Sequence, residues 1–159
     1  MRLTDPGGDT VSLCVSGYQF PQADDPRQRF SWHVIAGEAA CSRGRWRFQY
    51  PALTCEESPR VSAWLRAVAD WFDASTRGTV VPRPKPLTFL EANLAFRLAG
   101  HTPDGPVVAV GLDLEFHPPP QRRKAGDPFT LTIVASAGAL RQAATEWDEE
   151  LAPFPDGLA

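Results

Sequence analysis

Prolines at three alternate positions, in Val81-Pro82-Arg83-Pro84-Lys85-Pro86, constrain this chain more than any other feature in it. Each proline fixes φ, removes an amide donor, and pushes the residue before it out of the α region. The segment can be neither helix nor central strand and reads as an extended, polyproline-like connector. The remaining elements must therefore fall before it or after it. Each side follows the same plan, strands and then a helix.

Before the connector, Leu3 and Val11–Tyr18 flank Asp5-Pro6-Gly7-Gly8-Asp9, a dense turn signal suited to a hairpin. Phe30, Trp32, Val34 and Ala36 alternate with Ser31, His33 and Ile35, the period of a half-buried strand. Ser42-Arg43-Gly44 reverses the chain. Trp46, Phe48 and Tyr50 then alternate with Arg45, Arg47 and Gln49, giving the antiparallel partner. A helix is predicted over about 55–74, because Thr54-Cys55-Glu56-Glu57 matches a capping box. Ser58-Pro59 offers a second start, and Val61, Trp64, Leu65, Val68 and Phe72 share one face.

After the connector, Leu87–Phe89 is a short strand, and Leu94, Phe96 and Leu98 alternate with polar or small neighbours. Val108, Val110, Leu112, Leu114 and Phe116 form the longest alternation, ended by His117-Pro118-Pro119-Pro120. A polar loop over Gln121–Asp127 leads to a last strand at Phe129, Leu131 and Ile133. Ser136 can cap a helix over about 137–151, with Leu140, Ala143, Ala144, Trp147 and Leu151 as its apolar stripe. The expectation is a single α+β domain over 1–159. Its mostly antiparallel sheet, of about six to eight strands, packs with two amphipathic helices.

Bulk properties exclude several classes of function. A net charge of −3 gives no global attraction to nucleic acid or to an anionic membrane. The apolar run at Val107–Leu112 is too short to span a bilayer, and no apolar stretch follows a basic start at the N-terminus. The expected compartment is the cytoplasm. Cys14, Cys41 and Cys55 are odd in number and widely spaced, which is no disulfide framework.

The motifs of common chemistries are missing. His33, His101, His117 and the three cysteines never stand at metal-ligand spacing, and the histidines read as surface or hydrogen-bonded structural groups. No serine sits in a G-x-S-x-G elbow, and no glycine-rich phosphate loop opens a helix. No cofactor is expected. Cys14 reads as a small buried side chain. Cys55, if it occupies the first helical turn, would have its thiol pKa lowered by the helix dipole.

Carboxylates remain. Glu91, Asp113 and Glu115, with Asn93 and Arg97 on the neighbouring segment, lie on adjacent β-segments. Asp113 and Glu115, two apart, would share a face at about 7 Å along one strand. Such a set can bind a small ligand or do acid–base work. The same residues also suit a plain solvated sheet face with cross-strand Arg97–carboxylate pairs. Arg43, Arg45 and Arg47, with Arg122, Arg123 and Lys124, form a basic set, but Trp46 and Phe48 alternate away from the arginines and cannot stack bases beside them. Glu146, Asp148, Glu149 and Glu150 crowd the end of the last helix, where the dipole disfavours anions. That end is either a solvated terminus or a docking surface for a basic partner.

The order of motifs has a further implication. Gly17-Tyr18-Gln19-Phe20-Pro21 closes the first long strand, and the Trp32 strand follows an Asp-rich loop. Trp46, Pro51-Ala52-Leu53-Thr54-Cys55-Glu56-Glu57 and Trp64-Leu65 come next, then Phe89-Leu90-Glu91-Ala92-Asn93-Leu94-Ala95-Phe96 and Glu115-Phe116-His117-Pro118-Pro119. From about Leu13 to Pro120 this resembles the WapI-type immunity proteins, a small bacterial family associated with neutralising a secreted wall-associated toxin. The sequence departs from that pattern at Ser31, where an Asn often precedes the tryptophan, and at Ala92, where a Pro commonly stands. The resemblance implies a non-enzymatic binding protein whose partner is another protein, a toxin domain; the charge cluster Glu146, Asp148, Glu149 and Glu150 is where a basic one would be met. A small-ligand protein or hydrolase-like enzyme using Glu91, Asn93, Arg97, Asp113 and Glu115 is the first alternative. A homo-oligomeric scaffold is the second.

Overall fold

The computed structural model describes residues 1–119 and 128–157. Its eight strands form two antiparallel sheets rather than one. The first sheet is a meander of β1 (Arg2–Thr4), β2 (Thr10–Tyr18), β3 (Trp32–Cys41) and β4 (Gly44–Thr54), in that order. A short helix, α1 (Pro26–Arg29), interrupts the link between β2 and β3; its Asp25 cap accepts the Arg27 amide. The helix α2 (Pro59–Thr76) and the connector follow. The second meander comprises β5 (Leu87–Thr88), β6 (Leu94–Thr102), β7 (Gly105–Leu112) and β8 (Phe129–Val134), and α3 (Ala137–Leu151) closes the fold.

The turns form where their residues dictate. Asp5 N donates to Asp9 O across the first hairpin, and Asp5 Oδ1 also accepts the Val134 amide at 2.8 Å, tying the first sheet to the second. Gly44 takes φ +115° to close the β3–β4 hairpin, a conformation a side chain would resist. At Gly37 the reason for glycine is space. A Cβ there would sit 2.5 Å from both the Phe48 ring and Ser12 O.

Tryptophan indoles fasten the layers. Trp46 packs edge-on against Phe129 and donates Nε1–H to Phe116 O at 2.9 Å. Trp64, on α2, donates to Lys85 O at 2.8 Å and so pins the proline connector. Trp147, fully buried on α3, donates to Ser58 O at the start of α2. Each ring adds a large apolar area to the core while its one polar atom is satisfied. The helices lie against each other, α2 facing β5 and β7 and α3 facing β1 and β2. Arg141 clasps Asp70 and Asp73 at 2.7 Å, and Arg66 reaches Asp148 at 2.7 Å.

Several expectations need completing or correction. The alternation on β3 leaves its phase open, and the structure turns His33, Ile35 and Ala39 inward, with Trp32 and Val34 half-buried. His33 can take a core position because both ring nitrogens find partners there. Cys14 lies on the side of β2 opposite Val11, Leu13 and Val15 and is only half-buried. The Thr54–Glu57 capping box forms, with Glu57 N bonded to Thr54 Oγ1 and Thr54 N to Glu57 Oε2, both at 3.1 Å. It closes one separate turn, because Pro59 has no amide to continue the ladder, and the helix proper starts there. Finally, β7 stops at Leu112. Asp113 caps a 3₁₀ turn over Leu114–Phe116, and Leu114 sits at φ +50°, so the strand alternation does not extend to Phe116.

Candidate functional site

The expected carboxylate face is not a face. Asp113 is buried and its Oδ1 accepts the Leu114 amide at 2.8 Å, while Glu115, two residues on, is exposed. The 3₁₀ turn thus leaves one acid buried and the other exposed. Asn93 is fully buried; its Nδ2 donates to Glu115 Oε2 at 2.7 Å, and its main-chain O accepts the Asp113 amide at 3.0 Å. Its Oδ1 has no hydrogen-bond partner among the described residues. Glu91 lies in the turn before β6, and Arg97 is exposed opposite Ala109, with no ion pair to a carboxylate among the described residues. Asn93, Asp113 and Glu115 thus fasten the β5–β6 turn to the end of β7.

Among the described residues no three His, Cys, Asp or Glu side chains gather as a metal site. His33 is buried and bridged to Ser58 Oγ at 2.8 Å and Phe154 O at 3.0 Å. His117 is buried beside Phe129, with Nδ1 3.0 Å from Pro118 O. Cys55 lies in the turn before α2, and burial first, then the charges of Asp156 and Glu56, push its thiol up to about 12. That is the reverse of the activated thiol its sequence position promised. Arg45 and Arg47 both engage Glu38 at 2.9 Å, which holds the Glu38 carboxyl below its ordinary range. Arg43 lies over the Phe129 ring, and Arg122, Arg123 and Lys124 lie outside the described residues.

The acidic end of α3 divides into two parts. Asp148 faces α2 and pairs with Arg66. On the other side Glu146 accepts the Arg2 amide at 3.2 Å and Gln142 Nε2 at 3.0 Å. Glu149 and Glu150 have no ion-pair partner among the described residues. With Glu146, Met1, Pro153 and Phe154 they surround a hollow of about 400 Å³.

A larger groove, about 560 Å³, opens nearby and was not legible as a site in the sequence. Phe30 and Trp32 form one wall, Leu90 another, and Arg27, Glu56 and Asp156 bring charge to its edge. Leu90 is 73% exposed and Phe20, after the Gln19–Trp32 main-chain bond, is 38% exposed. No described helix is long and apolar enough to cross a membrane.

Fold and surface together define a two-sheet α+β domain bearing an acidic hollow and a larger groove. Residues 2–155 match the Immunity protein WapI-like family, and the chain belongs to that family. The match extends the resemblance through α3. No curated protein and no solved structure matches the chain.

Proposed function

We propose that this chain is a cytoplasmic immunity protein that neutralises a toxin domain by stoichiometric binding, without chemistry of its own. The observation that carries the reading is the pair Glu149 and Glu150. Both stand at the C-terminal end of α3, where the helix dipole opposes anions, and the last turn holds no basic residue to offset them. Asp148 is engaged by Arg66 and Glu146 by the Arg2 amide and Gln142, whereas Glu149 and Glu150, also at the hollow, have no ion-pair partner among the described residues. Retaining uncompensated charge at an unfavourable place is what a surface evolved for a basic partner would show. Long-range attraction raises encounter rates with such a partner, and shape then sets the lifetime of the complex.

The family membership supports this reading, and the use of Asp113 and Glu115 as main-chain and Asn93 partners accords with it. The test is association kinetics with a toxin domain at several salt concentrations. The double variant Glu149→Lys/Glu150→Lys should associate about tenfold more slowly and lose most of its salt dependence. Equal rates for wild type and variant would remove this end of α3 from the interface.

A further inference from the structure

The acidic hollow and the apolar groove are bordered by one short stretch of chain. Past α3, Pro153 and Phe154 edge the hollow while Asp156 and Gly157 edge the groove. The stretch is held by three separate contacts. His33 holds Phe154 O at 3.0 Å, and the Tyr18 hydroxyl donates to Pro155 O at 2.6 Å. Gly157, at φ +69°, lies so close to the Phe30 ring that a Cβ there would overlap it. The two concavities therefore belong to one surface with a fixed ridge between them.

The charge of that surface has one dominant sign. Glu146, Glu149 and Glu150 line the hollow, and Glu56 and Asp156 line the groove. Against them stand Arg27 and the Met1 α-amino group, and the latter is turned inward to Leu13 O at 2.7 Å. The negative potential reaches the neighbouring turn, since Asp156 and Glu56 both raise the Cys55 thiol. The apolar elements sit inside this acidic border. Trp32 is half-buried in the groove wall, Leu90 projects 73% exposed, and Phe20 lies beyond the Trp32 end of β3. An apolar centre ringed by charge is the anatomy of a protein interface, and its anchors are characteristically aromatic.

We infer that the partner docks across this ridge, inserting an apolar side chain between Trp32 and Leu90 while its Arg or Lys residues meet Glu56, Asp156, Glu149 and Glu150. The occupant is a basic protein surface with a protruding apolar residue. A second copy of this chain would bring the same acidic border against itself. A nucleic acid would bring phosphates to carboxylates. This inference rests on the toxin-binding reading and names the surface that would perform it.

The probe is a basic domain of a wall-associated toxin from the source bacterium, purified as an inactive variant and titrated calorimetrically into the wild type, Leu90→Asp, Glu56→Lys and Thr132→Asp. Leu90 is mostly solvent-exposed, so Leu90→Asp keeps the fold, which circular dichroism verifies. Thr132→Asp alters the exposed face of β8, away from the groove walls. Leu90→Asp is expected to weaken binding by about 30-fold or more and Glu56→Lys by about tenfold, with Thr132→Asp unchanged. Wild-type binding that Leu90→Asp leaves within a factor of two overturns the surface and spares the toxin-binding reading. No binding by the wild type overturns both. A wild-type dimer in sedimentation that Leu90→Asp dissociates also overturns the inference, assigning the groove to a second copy.

Discussion

His33, near the start of β3, donates from Nε2 to the main-chain oxygen of Phe154 at 3.0 Å, across 121 residues of sequence. A carbonyl can only accept, so Nε2 carries the proton. Nδ1 then accepts the Ser58 hydroxyl at 2.8 Å, and Thr54 O keeps the Ser58 amide at 3.1 Å. Burial favours this neutral ring and lowers its pKa from the ordinary value.

That arrangement makes stability depend on pH in a definite direction. The unfolded chain binds a proton at His33 as pH falls through about 6.5, while the folded chain resists until lower pH. The contribution is complete above about 6.5 and is lost progressively below it. Around the ring stand Tyr18 and Phe154, with the Asp156 and Phe154 O interactions partly opposing the shift. Urea unfolding of wild type and His33→Gln from pH 5 to 8 should therefore give a steeper acid-side loss in the wild type. Parallel curves would show that His33 is not the group responsible.

Cys55 should be the least reactive of the three thiols. It is 2% exposed, and its pKa near 12 leaves almost no thiolate at neutral pH. Alkylation at pH 8 with mass-spectrometric mapping should label Cys14 and Cys41 first and Cys55 only after denaturant is added. Early labelling of Cys55 would contradict the placement of the turn before α2.

Glu115 should behave as a structural residue. Removing its carboxylate leaves the buried Asn93 amide unpartnered on its donor side as well as at Oδ1. Glu115→Ala is expected to cost about 1–2 kcal/mol in urea unfolding. Affinity for a partner should not change. A loss of binding without loss of stability would restore the ligand-site alternative.

Gly37→Ala tests the contact between sheet and core. The added methyl would meet the Phe48 ring and Ser12 O at 2.5 Å, and one of these is main chain. Overpacking of this kind costs about 1–3 kcal/mol. An unchanged melting temperature would mean that the Phe48 ring has room to move.

The features legible in the sequence are those whose physics is local. The Asp5–Asp9 and Ser42–Gly44 turns, the Thr54–Glu57 box and the α3 stripe all depend on residues within a turn or two of each other. Phase on β3 was not legible, because the partners that let His33 go inside are Ser58 and Phe154, far along the chain. The same holds for β7, where the Val108–Phe116 alternation looks continuous. There Asp113 Oδ1 accepts the Leu114 amide and caps a 3₁₀ turn, which leaves Asp113 buried and Glu115 exposed. Of the candidate site, the acidic residues of α3 were visible as a cluster. Their division, with Asp148 turned to Arg66 and Glu149 and Glu150 turned to the hollow, needed α2 in place. The groove is assembled from α1, the β3 start, two turns and the tail, so no run of sequence contains it.

The central claim is neutralisation by binding, and protection from the toxin measures it most directly. A bacterial host expressing the active toxin domain should survive when this chain is co-expressed. It should lose that protection when the chain carries Leu90→Asp together with Glu149→Lys and Glu150→Lys at equal soluble levels. Growth arrest despite ample wild-type chain would contradict the account.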